Sequence, residues 1–211
     1  INTGRYFQKT LLVTIAFFDF DGTITNRDTL WEIIRYHRGR AAMYAGMVQL
    51  LPALLRFKLK MLSAQEIKEQ VLAYFFSEMP AADFTAGCES FCREMLPSLI
   101  RPQALAAIRK HRELGHHVVV VTASAQDWVA PWCRTENMIC LGTRLEVKNN
   151  LITGKILGLN CNGEEKVHRI RSAYNLENFS EIYAYGDSKG DKPMLALAQH
   201  ASYKPFREIT N

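Results

Sequence analysis

A continuous apolar run, residues 11–18, holds the β-branched Val13, Thr14 and Ile15 and stops at Asp19. Such a short run without polar alternation predicts a strand buried on both faces, as in a parallel sheet. From about Asp28 to Pro97 the period changes. Apolar residues recur three and four apart, at Leu30, Ile33 and Ile34 and again at Ile67, Val71, Leu72 and Phe75, which predicts several helices in succession. Beyond Pro102 helices and strands alternate. The pattern predicts a helix over 103–114 stopped by Gly115, an apolar strand over 117–122, a helix over 166–174, a short strand over 182–185, and a helix over 193–199 entered from Asp191. Residues 144–156 alternate apolar and polar positions around Asn149 and Asn150, which tolerate positive φ and so predict a hairpin turn. The order as a whole predicts an α/β core made of two pieces, 1–25 and 98–211, split after its first strand by a helical insertion over 26–97.

Composition narrows this picture. A chain of 211 residues that is 48% hydrophobic sustains a packed core. Its net charge of +5 suits an anionic partner, but no basic run exceeds two adjacent residues, so nucleic acid is not expected. Cys88, Cys92, Cys133, Cys140 and Cys161 form no C-x-x-C pair and leave one over, which fits small core side chains in a reducing compartment and predicts a cytoplasmic protein. Arg5 and Lys9 precede the first apolar run, yet that run ends in Asp19 without a small-residue cleavage site, so no export signal is expected. The longest uncharged stretch, 41–55, contains Gln49 and Pro52 and falls short of the roughly 20 apolar residues a spanning helix needs.

The reactive side chains gather where the predicted strands end, the edge at which open parallel sheets collect ligands. Asp19 and Asp21 flank Phe20 directly after strand one, and strand alternation would send both carboxylates to one side, with Gly22 permitting a sharp turn. Two converging carboxylates repel unless a cation lies between them, and hard oxygen ligands favour Mg²⁺. Thr122 ends the apolar strand, and Ala123 and Ser124 follow it as small residues whose backbone N–H groups can cradle a phosphate, although Ser124 reads equally well as a helix N-cap. Gly186, Asp187, Ser188, Lys189, Gly190 and Asp191 close the last clear strand. There Asp187 joins Asp19 and Asp21 as metal ligands, while Asp191, with Ser188, orients its neighbours and caps the following helix. Lys166 alone would be a solvated charge. Beside several carboxylates and a phosphate dianion, one fixed ammonium is the expected balance.

These motifs, DFDGT at Asp19 to Thr23, the apolar strand ending in Thr122, Lys166 in GEEKV, and GDSKGDKPML from Gly186, resemble the four motifs of the haloacid dehalogenase superfamily, specifically its phosphoserine-phosphatase-like branch. The resemblance implies a Rossmann-like parallel-sheet core with a helical C1-type cap inserted after strand one. It implies Mg²⁺-dependent phosphomonoester hydrolysis, with Asp19 as the nucleophile that forms an aspartyl-phosphate and Asp21 as the general acid and then base. Thr122, Ala123, Gly22 and Lys166 would hold the phosphoryl group, and Asp28 would lie on the cap side near the substrate. Where phosphoserine phosphatases carry Asn in the fourth motif this chain has Gly190, and where they carry Glu nine residues after the nucleophile it has Asp28. With DFDGTITNRDT, those departures look closer to a group that includes phosphatidylglycerophosphate phosphatases, which implies a lipid phosphate, with phosphoserine or another small metabolite as the alternative.

Residues 41–62, rich in Met and Leu and ending with Arg56, Lys58 and Lys60, read in two ways: as helices roofing the site, or as a peripheral contact with a membrane that bears anionic headgroups. A phospho-accepting receiver domain and a lipid-binding relative without turnover are the rival readings of another class. The paired aspartates on strand one and the long insertion after it run against the first, and the complete set of reactive positions against the second.

Overall fold

The computed structural model describes residues 13–207. The expectation of no export signal falls on residues outside that range. The first strand, β1 (Val13–Phe18), is the middle of a five-stranded sheet. After it come a tight turn at Phe20–Ile24 and four helices, α1 (Thr29–Gln49), α2 (Leu51–Lys58), α3 (Ala64–Phe76) and α4 (Ala81–Glu94). Then follow α5 (Pro102–Glu113), β2 (His117–Ala125), α6 (Ala130–Thr135), β3 (Ile139–Thr143), the hairpin β4 (Leu145–Lys148) and β5 (Leu151–Ile156), α7 (Glu164–Ala173), β6 (Phe179–Gly186), α8 (Lys192–Leu195) and β7 (His200–Tyr203). The sheet runs β3-β2-β1-β6-β7 with every pairing parallel.

Period-two alternation divides the core. Ile15, Phe17, Val119 and Val121 face one side with Ile170, Met194 and Leu195, while Ala16, Phe18, Val118 and Val120 face the other with Ala104, Ile108 and Trp128. The second cluster continues without a break into Ile33, Ile34, Leu72, Phe76, Phe84 and Phe91 of the helical insertion, so sheet and insertion share one apolar interior. Asn149 and Asn150 adopt φ of 53° and 60°, as the hairpin reading requires. The hairpin pairs with the insertion: Glu78 N–H donates to the Ile152 carbonyl at 3.0 Å and Ala81 N–H to the Asn150 carbonyl at 2.8 Å.

Several elements differ from the sequence expectation. The strand predicted to end at Thr122 runs on to Ala125, because parallel pairing with β3 resumes there after a register shift. The last predicted helix is one turn, since the chain must reverse to enter β7. The edge strands β3 and β7 lie outside the sequence expectation; they are short, five and four residues, and β3 does not alternate apolar and polar side chains.

Candidate active site

Strand order reverses between β1 and β6, and the crevice beyond the carboxyl ends of a parallel sheet opens at such a point. Asp19 directly follows β1, and Asp187 directly follows β6. Between and behind them lies Lys166, from the first turn of α7 and only 1% exposed. Its ammonium donates to Asp19 Oδ1 at 2.6 Å, Asp191 Oδ1 at 2.6 Å and the Val121 carbonyl at 2.8 Å. All three ammonium protons are therefore used, and the group is locked in place. Burial alone would lower the Lys166 pKa, but the two carboxylates outweigh it and hold the pKa above the usual value.

Asp19, Asp187 and Asp191 bring one carboxylate oxygen each within 4.8 Å of one another. Asp191 is already saturated. While its Oδ1 meets Lys166, its Oδ2 accepts from the N–H of Asp187 at 3.1 Å, the N–H of Ser188 at 2.8 Å and the Ser188 hydroxyl at 2.7 Å. Burial opposes its ionisation, but Lys166 and the Ser188 donors keep its pKa below the ordinary value. The expected cap on the following helix is not made: the Asp191 side chain reaches back to Ser188 instead of forward into α8. Asp19 is the opposite case. Burial pushes its carboxyl up to about 7 despite Lys166. Asp19 and Asp187, both at the crevice, are thus the carboxylates suited to a hard divalent cation, which would favour the ionised form of Asp19 against its burial.

The turn after Asp19 changes one sequence expectation. The chain turns sharply here, with Asp21 still extended at ψ of 123° and Gly22 at φ of 79°, and leaves the strand, so alternation does not set the direction of Asp21. Its carboxylate points to other partners: Oδ1 accepts from the Thr29 N–H at 2.7 Å and the Thr29 hydroxyl at 2.6 Å, and Oδ2 from the Ser124 hydroxyl at 2.6 Å. Ser124 lies inside β2 and caps no helix. Gly22 has φ of +79°, and a Cβ there would lie 2.5 Å from Asp187 Oδ2, so both conformation and space require glycine. Thr122 is fully buried and its hydroxyl accepts from the Ser124 N–H at 2.9 Å. Asp28 N-caps α1 through the Leu30 N–H at 2.9 Å. Although the residue is exposed, the protein crowded around its carboxyl and the neighbouring Asp21 charge push its pKa up to about 6. At Gly190 a side chain would meet the amide of Asn162, which fills that space.

Sequence reasoning missed the residues that arrive from a distance. Lys68 of α3 crosses to the core, donating to the Ala123 carbonyl at 2.9 Å and Asn160 Oδ1 at 3.1 Å. Arg207 pairs with Asp187 Oδ2 at 2.8 Å. Thr29 accepts from Trp128 Nε1 at 3.2 Å while it holds Asp21, and Thr23 donates to Asp19 Oδ2 at 3.0 Å. The one available signal for Lys68 was the polar row Gln65, Lys68 and Glu69 at helical spacing, all three of which bond to the 123 and 156–160 segments.

Comparison with known proteins agrees with this geometry. Residues 16–196 match the haloacid dehalogenase-like hydrolase family. Protein CicA of Caulobacter vibrioides is 33% identical over 207 residues, covering 97% of this chain and 90% of that protein. A phosphoserine phosphatase of Mycobacterium tuberculosis, SerB1, is 28% identical over 88% of this chain and 63% of its own length. A crystal structure of a protein of unknown function from Bordetella pertussis Tohama I superposes with a TM-score of 0.76 at 25% identity, covering 90% of this chain and 88% of that one. The crevice lined by Asp19, Lys166, Asp187 and Asp191, on a sheet of this order, thus has a family: the chain belongs to the haloacid dehalogenase-like hydrolases and, within them, to the phosphoserine-phosphatase-like branch of phosphatases.

Proposed function

We propose that the chain hydrolyses phosphomonoesters through an aspartyl-phosphate on Asp19, with Mg²⁺ held by Asp19, Asp187 and the backbone carbonyl of Asp21. The carrying observation is the buried Lys166 ammonium bonded to Asp19 and Asp191 beside the Asp187 carboxylate. Mg²⁺, when bound, offsets the repulsion between an anionic nucleophile and an anionic phosphate. Asp19 attacks phosphorus and the phosphorus–alcohol oxygen bond breaks. Asp21, aimed by Thr29 and Ser124, gives its proton to the departing oxygen. It then takes a proton from the water that attacks the aspartyl-phosphate, which releases phosphate and restores Asp19. Thr122 and the backbone around Gly22 and Ala123 hold the phosphoryl oxygens, and Lys166 balances the charge spread over them, meeting an oxygen directly only by giving up its bond to Asp19 as that carboxylate attacks. Ser188 and Asp191 support this by fixing Lys166 and the loop that carries Asp187.

The ester is a lipid phosphate or a small phosphorylated metabolite. The first is favoured by a large apolar and basic face on the cap helices, described below. Phosphate release with and without Mg²⁺ from phosphatidylglycerophosphate, phosphoserine, sugar phosphates and nucleotides tests the reading. Asp19→Asn is expected to fold and lose essentially all turnover. Acid-quenched wild-type enzyme is expected to carry phosphate on Asp19. Turnover that survives in the variant, or a phosphate adduct elsewhere, overturns the assignment.

A further inference from the structure

The cap leaves one row of large apolar side chains in water. Beyond its break at Gly39, α1 packs inward through Met43 and Gly46, with Leu50 next in that row. A side chain at Gly46 would run into Tyr74 and Phe75 of α3, so the two helices meet there at close range. Tyr44, Val48, Leu51 and Leu55 follow one another at helical spacing across the junction into α2, and Leu59 continues the row. These five are between 51% and 72% exposed, and α2 contributes no buried residue. Among the described residues nothing packs over this row.

Charge is distributed to match. Between Ile33 and Gln65 stand six Lys and Arg residues and no Asp or Glu, so this stretch alone exceeds the +5 of the whole chain and the remainder is close to neutral. Arg35 and Arg38 turn inward, to Glu32 and the Phe75 carbonyl. Arg40, Arg56, Lys58 and Lys60 stay exposed beside the apolar row. A second copy would present the same basic residues through a two-fold contact, and like charges would meet. A surface with an apolar interior and anionic groups at its boundary complements both features.

We propose that this end of the cap docks on an anionic lipid surface, with Tyr44, Val48, Leu51, Leu55 and Leu59 entering the acyl boundary and Arg40, Arg56, Lys58 and Lys60 at the level of the lipid phosphates. No helix of the described residues is long and apolar enough to cross a membrane, and the proposed contact is one made by the surface of the cap. The inference stands on the exposed face and is independent of the catalytic reading. It does supply the lipid-phosphate substrate with a route, since α3, on which α1 rests, also carries Lys68 into the site.

Cosedimentation of the full chain with vesicles of phosphatidylcholine, alone or mixed with phosphatidylglycerol, tests it. Binding is expected only to the mixed vesicles at low salt, weakening as salt rises. Neutralising Arg56, Lys58 and Lys60 to Gln is expected to weaken partitioning by about five-fold per charge, on the order of 100-fold together. Val48→Gln, Leu55→Gln and Leu59→Gln combined should also abolish binding. Both variants should keep the wild-type melting temperature and phosphate release from a soluble ester, because all six residues are exposed and none is among the side chains bonded at the site. Asp19→Asn should bind vesicles like the wild type, which separates docking from catalysis. Absence of cosedimentation, binding indifferent to both variants, or a solution dimer that the apolar variant converts to monomer overturns the proposal.

Discussion

Replacing Lys166 by Met isolates the charge balance of the site. Met retains much of the side-chain length and fills the same space without an ammonium. In the native fold that ammonium lies 2.6 Å from both Asp19 and Asp191, whose side chains are 8% and 1% exposed. Its removal leaves two buried carboxylates without a counter-charge, a change that costs roughly 3–5 kcal/mol when one partner of a buried pair is deleted. In a chain of this size each kcal/mol shifts Tm by about 2–4 °C, so metal-free protein at mildly alkaline pH should melt about 6–20 °C lower.

The pH dependence of that loss carries a sign. Asp19 is pushed up to about 7 in the folded protein by burial, against an ordinary value of 3.8 in the unfolded chain. Between those values the folded state binds more protons, so stability falls with rising pH: the Asp19 contribution is neutral below 3.8, increasingly unfavourable above it, and levels off beyond about 7. Deleting Lys166 lifts the folded pKa further. The Tm gap between wild type and Lys166→Met should therefore widen as pH rises from about 4 to about 8. Saturating Mg²⁺ should recover part of it by binding the freed carboxylates. Calorimetry or circular dichroism melts across that range provide the readout. A variant within about 2 °C of wild type at the alkaline end, or a gap that narrows with rising pH, would refute the reasoning.

Two further substitutions probe the neighbours of this pair. Gly22→Ala imposes a Cβ on a residue with φ of +79° and 2.5 Å from Asp187 Oδ2. A loss of about 1–2 kcal/mol from the backbone conformation is expected. The Mg²⁺ concentration for half-maximal activity should also rise, by about 10-fold or more, since Asp187 must move; an unchanged Mg²⁺ titration would separate Asp187 from the metal. Lys68→Met removes the bonds from the cap to the Ala123 carbonyl and Asn160. Steady-state kinetics should give a higher KM with kcat less affected and kcat/KM lower by about 10-fold, whereas a fall in kcat alone would put Lys68 in the chemical step.

The part of this protein that could be read from its sequence is the part in which a residue acts within its own loop. Asp19 follows an apolar strand and Asp187 ends another, so their meeting at one sheet edge needs only parallel pairing, which the unbroken apolar runs already imply. Asp21 sits two residues from Asp19, yet its direction was not legible, because the sharp turn through Gly22 takes the chain out of the strand and the carboxylate meets Thr29 and Ser124. Asp191 resembled a helix cap by position, while the larger electrostatic gain lies behind it, at Lys166 and the Ser188 donors. Arg207 carries no local mark and Lys68 only the polar row it shares with Gln65 and Glu69; each becomes part of the site by reaching across from another element. Lys166 belongs between the two groups. On its own helix it reads as one charge among Glu164 and Glu165, and what distinguishes it is the demand of the other residues. A crevice that buries Asp19 and Asp191 needs a buried cation, and a lysine at the entry of the helix packed behind the sheet can deliver one along an apolar stem. Charge balance calls for such a cation and the GEEKV motif says which lysine supplies it, and charge balance is what the Lys166→Met melts measure.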